Sequence, residues 1–261
     1  MTALARKMLD FTNKIIIITG GGSGIGKAAS LAFAKQGAIL HIIELNKEQA
    51  EETVAAIKMS GGKASAHNCD VSNQQQVSQI FKEIGNIDVL VNNAGIAHIG
   101  KADTTNEVDF DRVFNVNVKG YYNCMHEAIP LMKEAGKGVI LNVCSVAAQT
   151  GIAERFAYSM SKGAIYSMTL SVAKDYLKDN IRCNSISPAR VHTPFVDEYL
   201  QKNYPGKEKE MYEALAKTQP IGRMGTPDEI ASLIVYLCSD EASFITGCDY
   251  PVDGGFTKLN T

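Results

Sequence analysis

The chain has 261 residues, of which 45% are hydrophobic and 21% charged, and its formal net charge is -2. These values are typical of a globular protein of one or two domains and exclude a disordered chain. The chain has no surplus of basic residues that would indicate a nucleic-acid partner. Its apolar runs are too short to cross a bilayer. The chain start lacks the apolar stretch of a signal peptide, and the six cysteines show no C-x-x-C spacing. We therefore expect a cytoplasmic protein with reduced thiols and no metal site.

Apolar runs alternate with helical patterns from the start of the chain. The run KIIIIT at 14–19 predicts a buried strand, and the pattern at 24–37 predicts a helix closed by Gly37. Further strands are predicted at 38–44, 63–70 and 87–95, and further helices at 46–62 and at 72–85, the latter with Ser72 as its N-cap.

The same alternation continues through the second half of the chain. The predicted elements are helices at 107–135, 155–179 and 227–238 and strands at 138–145, 181–188 and 248–252. The segment 190–220 lacks a clear period except for a short helix near 206–217, and we expect it to form a lid over the substrate. The alternation predicts one doubly wound α/β domain over 1–261, with a mainly parallel sheet and helices on both faces.

The loop TGGGSGIGKAAS, at 19–30, fits two kinds of phosphate site. The spacing of Gly21 and Lys27 resembles the loop of nucleotide triphosphatases, but Ala28 has no hydroxyl to hold Mg²⁺. A dinucleotide loop needs glycines for a tight turn and for close approach of a pyrophosphate to a helix N-terminus. Three glycines meet that need, Gly20, Gly24 and Gly26. The sequence therefore favours a dinucleotide over a triphosphate.

Glu44 ends the second predicted strand, where a carboxylate can accept hydrogen bonds from the adenosine ribose. The same carboxylate would repel the 2′-phosphate of NADP. Ser23 and Leu45, in positions where an arginine would help to bind that phosphate, are not basic, although Lys47 lies nearby. We therefore predict NAD as the cofactor.

Tyr158 and Lys162 are four residues apart, so that on a helix they share a face one turn apart. Ser145 lies upstream at the end of a predicted strand, where open α/β sheets place their ligand crevice. Together with the glycine loop, these residues are candidates for a reactive site at the same edge of the sheet.

In combination and order, the motifs resemble the short-chain dehydrogenase/reductase family over nearly the whole chain. They are TGGGSGIG, Glu44, Asp70-Val71, NNAG, Asn117 in NVKG, Ser145, YSMSK, SISPARVHTP and VDGG. The resemblance implies a Rossmann fold, a homotetramer built through the helices near 107–135 and 155–179, and interconversion of a secondary alcohol and a ketone or sugar lactone.

The resemblance also implies the catalytic roles. Tyr158 would be the base that takes the hydroxyl proton, and Ser145 would hydrogen-bond the substrate oxygen. A free phenol ionises only near about pH 10, so Lys162 and a cationic nicotinamide would favour the phenolate. Lys162 would also hold the nicotinamide ribose, and Asn117 would support a water that relays protons.

Cofactor contacts carry over by position. Ser23 and Ile25 join the glycines beside the pyrophosphate, and Tyr158 and Lys162 also face the cofactor. The remaining expected contacts are Asp70 and Val71 at the adenine, Asn92, Ala94 and Gly95 along the adenosine and ribose, and Pro188, Val191 and Thr193 at the nicotinamide side. This chain departs from the family pattern with Ala189 after Pro188, where glycine is usual, and with Cys144 before Ser145.

Arg155 precedes Tyr158 by three residues, so it can share the catalytic face and bind a substrate carboxylate through paired hydrogen bonds. It can equally be an exposed arginine at a helix start. His98, Gln149 and Arg190 are further candidate polar contacts to the substrate. We expect a small polar substrate, a hydroxy acid or a sugar acid. A neutral aldose or polyol, and a non-catalytic NAD-sensing protein, are the alternatives.

Overall fold

A computed structural model describes residues 8–259. Residues 1–7, which carry part of the signal-peptide argument, and the last two residues lie outside the described residues. The strands form one parallel sheet in the order β3-β2-β1-β4-β5-β6-β7. They are β1 (Ile15–Thr19), β2 (Ile39–Glu44), β3 (Lys63–Asn68), β4 (Val89–Asn92), β5 (Gly138–Val143), β6 (Ile181–Pro188) and β7 (Asp249–Val252).

The α-helices lie on both faces of this sheet. They are α1 (Gly24–Lys35), α2 (Lys47–Met59), α3 (Gln74–Ile84), α4 (Glu107–Val113), α5 (Gly120–Glu134), α6 (Phe156–Asp175), α7 (Pro194–Asn203), α8 (Glu208–Lys217) and α9 (Pro227–Cys238). A π-helical segment, Phe114–Lys119, joins α4 to α5. Within residues 8–259, no helix combines the length and the apolar character that crossing a bilayer requires.

The predicted α/β class and doubly wound architecture are confirmed, and the sheet pairs in parallel throughout the described residues. Two local predictions were wrong. Asn73, not Ser72, caps α3, because its side chain accepts hydrogen bonds from the amides of Gln75 and Gln76. The segment 190–220 holds a second helix, α7, which begins at Pro194.

The continuous apolar run of β1 follows from its place in the middle of the sheet. Ile16 and Ile18 pack in the core cluster on the side of α1 and α9, whereas Ile17 packs in the cluster on the side of α3 and α5. A strand covered on both faces needs apolar residues at every position. The strand order reverses between β1 and β4. This reversal opens the crevice where such sheets bind ligands.

Candidate active site

Two adjoining hollows form one groove along the carboxyl ends of the strands. The first, of about 320 Å³, is lined by the glycine loop and the end of β2. The second, of about 350 Å³, is lined by Ser145, Tyr158 and Lys162. Ile25 and Thr193 line both hollows. The groove thus connects the predicted dinucleotide loop to the predicted catalytic residues.

Most of the expected contacts line this groove. In the first hollow these are Gly20, Ser23, Gly24, Ile25, Glu44, Asp70, Val71, Ala94, Gly95 and Thr193. In the second they are Ile25, Gly95, Ser145, Arg155, Tyr158, Lys162, Pro188, Val191 and Thr193.

The glycine loop exposes backbone rather than side chains. Gly20 and Gly24 have φ of +65° and +51°, a region that favours glycine. A Cβ at Gly26 would overlap the carbonyl oxygen of Gly20 and crowd the side chain of Asn93. The Thr193 side chain lies beside Gly24: a Cβ added at Gly24 would stand 3.4 Å from Thr193 Cγ2. This loop and the N-terminus of α1 fit the pyrophosphate of a dinucleotide.

The asparagine that faces this loop is Asn93, not the predicted Asn92. Asn93 Nδ2 donates to the carbonyl oxygens of Thr19 and Gly20, at 3.0 Å each. Asn92 is fully buried in the sheet and donates to Asn142 at 2.9 Å. The Asn92 side chain therefore lies in the packed core, whereas the Asn93 side chain lies at the glycine loop.

Acidic side chains mark the far end of the groove. Glu44 accepts hydrogen bonds from the amides of Gly22 and Asn46, both at 3.2 Å, which fixes its carboxylate beside the glycine loop. Asp70 accepts from the amide and the hydroxyl of Ser72, at 2.9 and 2.7 Å. Lys47, the one nearby basic residue weighed above, forms an exposed ion pair with Glu51 at 3.6 Å.

Ser145, Tyr158 and Lys162 meet in the second hollow. Ser145 Oγ accepts a hydrogen bond from the amide of Ala147 at 3.2 Å, and within residues 8–259 its hydroxyl proton has no acceptor. Lys162 is buried, donates to the carbonyl of Val143 at 2.8 Å and lies 5.7 Å from the centre of the Tyr158 ring. The lysine charge is therefore held close to a phenol that is open to the cavity.

Asn117 lies behind this group, in the π-helical segment. It is buried, accepts from the amide of Ile96 at 2.8 Å and donates to the carbonyl of Ile96 and the hydroxyl of Ser161. Ser161 in turn donates to the carbonyl of Tyr158 at 2.7 Å. The wider π turn, often found at functional sites, places this amide between the loop after β4 and α6.

Two arginines, Arg155 and Arg190, line the catalytic hollow. The sequence analysis predicted a carboxylate contact for Arg155 alone. Arg155 stands at the N-terminus of α6, and its backbone is fixed through Gly100, whose amide donates to Glu154 and whose carbonyl accepts from Phe156. Burial lowers the pKa of Arg190, and the charge of Arg155 lowers it further. Arg190 Nε donates to Thr218 at 3.0 Å.

Among residues 8–259, no carboxylate pairs with either of these guanidinium groups. Arg155 donates to the carbonyl of Glu154, and neither arginine forms an ion pair with a carboxylate of residues 8–259. Two neighbouring cations, one of them half buried, are unfavourable without an anion. The pair therefore concentrates positive charge at one side of the catalytic hollow.

The remaining substrate predictions need correction, because neither residue lines the cavity. Gln149 donates to Asp249 at 2.8 Å, which holds its side chain against the start of β7. His98 packs against Gly100, and its Nδ1 lies 4.0 Å from Asp109. Sequence reasoning also missed apolar residues that line the cavity from separate segments, Ile152, Val196, Leu215, Met224 and Phe256. Their spacing along the chain carries no signal that they meet.

Comparisons with known proteins agree with this geometry. A family profile described as enoyl-(acyl carrier protein) reductase matches residues 20–257. The dehydrogenase/reductase SDR family member 6 of Aquarana catesbeiana is 39% identical over 245 residues, which cover 94% of this chain and 97% of the relative. The chain belongs to the short-chain dehydrogenase/reductase family.

Solved short-chain dehydrogenases share the fold over nearly their whole length. L-sorbose reductase from Gluconobacter frateurii, complexed with NADPH and L-sorbose, superposes with a TM-score of 0.92 at 28% identity, over 98% of this chain and all of that one (100%). An NAD⁺-bound xylitol dehydrogenase gives 0.86 at 29% identity, over 94% and 99%. The family uses nicotinamide cofactors of both kinds, and this chain is an oxidoreductase of that family.

Proposed function

We propose that this protein is an NAD-dependent dehydrogenase that interconverts a secondary alcohol and a ketone on a small substrate with a carboxylate, a hydroxy acid or a sugar acid. The observation that carries the proposal is the pair Arg155 and Arg190 beside Tyr158, without a counter-ion from residues 8–259. Paired guanidinium groups bind a carboxylate with charge-assisted hydrogen bonds, which neutral alcohols cannot form.

The residues around Tyr158 supply the proton chemistry in this proposal. A bound nicotinamide dinucleotide supplies the hydride acceptor or donor. The Tyr158 phenolate, stabilised by the buried Lys162 ammonium, takes the proton of the substrate hydroxyl on Oη and becomes the neutral phenol. Ser145 donates its free hydroxyl proton to the substrate oxygen. Asn117 holds the Ile96 loop and Ser161 in place behind them.

Glu44 supports NAD rather than NADP. Its carboxylate is fixed at the end of the groove by two backbone amides, so it can accept from ribose hydroxyls and would repel a 2′-phosphate. Lys47, paired with Glu51, does not offset that repulsion. The NADPH-bound sorbose reductase has the same fold, which makes this residue, rather than the fold, the basis of the cofactor proposal.

We also propose a cytoplasmic homotetramer. All six cysteines are unpaired thiols, which suits a reducing compartment. Apolar side chains remain exposed along α4, the π-helical segment, α5 and α6, namely Val108, Phe114, Tyr122, Phe156 and Leu170. A row of this kind is typical of a surface that a second protomer covers.

The carboxylate proposal is tested with Arg155→Met. We expect the KM for hydroxy acids to rise about ten- to hundredfold, since a hydrogen bond to a charged group is lost. The KM for neutral secondary alcohols should change little. The measurement is a turnover screen that follows NADH absorbance across hydroxy acids, sugar acids, sugars and polyols.

Two controls accompany this screen. Lys58→Met makes the same charge change on the exposed face of α2 and should leave both substrate classes unaffected. Tyr158→Phe should bind NADH but turn over neither class. Equal effects of Arg155→Met on acids and neutral alcohols would refute the carboxylate proposal and favour the aldose or polyol alternative.

A further inference from the structure

Apolar side chains from separate segments line part of the catalytic hollow. This apolar wall consists of Ile152, Val196, Leu215, Met224 and Phe256. The residues come from five separate segments: the loop before α6, α7, α8, the turn before α9 and the segment after β7. Apolar side chains that converge from so many elements give the substrate a face without hydrogen-bonding groups.

The polar side chains of the same hollow are already assigned to a task or engaged within the protein. Ser145, Tyr158 and Lys162 would face the reacting carbon, and the two arginines would bind an anion. Asn93 donates to the carbonyls of Thr19 and Gly20, and Thr193 lies beside Gly24 of the glycine loop. Gln219 is 3% exposed; its amide nitrogen donates to Thr218 at 2.9 Å and its oxygen accepts from the Arg190 amide at 3.5 Å. The side chains of the apolar wall themselves offer no hydrogen-bond partner to further substrate hydroxyls.

The apolar character of this wall separates hydroxy acids from sugar acids, the two substrate classes that the proposed function leaves open. A sugar acid carries a hydroxyl on nearly every carbon, and each hydroxyl buried against apolar atoms without a partner weakens binding about tenfold or more. A hydrocarbon substituent gains by leaving water at the same place. We propose, on the basis of the carboxylate function above, that the substrate is a hydroxy acid with one hydroxyl and a hydrocarbon remainder, not a sugar acid.

The test compares acids matched in charge and carbon number. One set holds hydroxy acids of four and six carbons with a single hydroxyl at carbon 2 or 3, and the other holds the aldonic acids of the same lengths. We expect kcat/KM with NAD to be at least tenfold higher for the single-hydroxyl acids. Equal or higher values for the aldonic acids would overturn the proposal.

Substitutions in the apolar wall test the same proposal through the ratio of kcat/KM between the two sets of acids. Ile152→Thr and, independently, Leu215→Gln place a hydrogen-bonding group on the apolar wall, so each should narrow the ratio between the two sets severalfold. Met59→Thr, a similar change at an exposed position of α2, should leave the ratio as it is. A ratio that neither wall variant moves also counts against the proposal.

Failure of the proposed function gives a different result from failure of this inference. If Arg155→Met leaves both acid sets unchanged, the carboxylate function is wrong. The role of the wall is then judged on neutral compounds, by comparing butan-2-ol and hexan-2-ol with the tetritols and hexitols. If the acids depend on Arg155 but the aldonic acids are preferred, only the hydrocarbon inference is wrong.

Discussion

At the scale of single residues, Glu44 is the side chain on which cofactor choice depends. Two backbone amides hold its carboxylate at the end of β2, and a 2′-phosphate would bring a second negative charge beside it. We expect Glu44→Gln to raise the ratio of NADP to NAD efficiency about tenfold, or about 1.4 kcal/mol. The measurement is kcat/KM for both cofactors with one substrate.

Glu48→Gln is the matched control, because it removes the same charge from the first turn of α2. Its cofactor ratio should equal that of the unchanged protein. A native protein that already uses NADP as well as NAD would show that Glu44 does not select the cofactor.

Single positions also show where sequence reasoning stops. Gly20, Gly24 and Gly26 were predictable, because only glycine suits both the turn and the close approach. Asn92 and Asn93 are the same residue type, one position apart, and only the direction of each side chain at the end of β4 decides which one faces the loop. Residue type and spacing do not contain that direction.

At the scale of elements, long periodic patterns were predicted well and local exceptions were missed. The helix expected at 107–135 exists, but its hydrophobic pattern does not reveal the wider turn at Phe114–Lys119 that positions Asn117. The helix α7 was missed although Pro194 at its first position is a helix-start signal. Tertiary contacts stabilise both features.

The paired strands β2 and β3 carry a pH-dependent contact. His41 Nδ1 and His67 Nε2 lie 2.9 Å apart, and burial, then the charge of His67, lowers the pKa of His41 to about 4. Burial also lowers the pKa of His67. The unfolded chain binds a proton at His41 near its usual value of 6.5, more readily than the folded chain does. The protein should therefore lose stability as the pH falls below about 6.5 towards 4.

We expect His41→Gln to reduce the loss of folding stability at low pH. Urea unfolding at pH 7 and pH 5 measures it, and the difference between the two free energies of unfolding should shrink by about 1 kcal/mol or less, because the half-buried pair is partly screened by solvent. His126→Gln, on exposed α5, is the control. An unchanged pH difference in His41→Gln would show that this pair does not govern acid stability.

At the scale of the whole molecule, the exposed apolar row on α4 to α6 bears on assembly. We expect light scattering after gel filtration to give a tetramer, and Leu170→Glu on α6 to give smaller species, because a charge would be buried in the contact. Met59→Glu changes a more exposed apolar residue on α2 and should leave the mass unchanged. A native monomer would contradict the proposed assembly.

The sequence by itself determined the fold class, the glycine loop, Glu44 and the set Ser145, Tyr158 and Lys162. These features depend on local spacing and on strand and helix periods, which a single chain segment contains. Only the tertiary structure brought Arg190 beside Arg155 and assembled the apolar wall from five segments. The packing of helices on the sheet sets those distances, so the lining of the hollow depends on contacts between residues far apart in the chain.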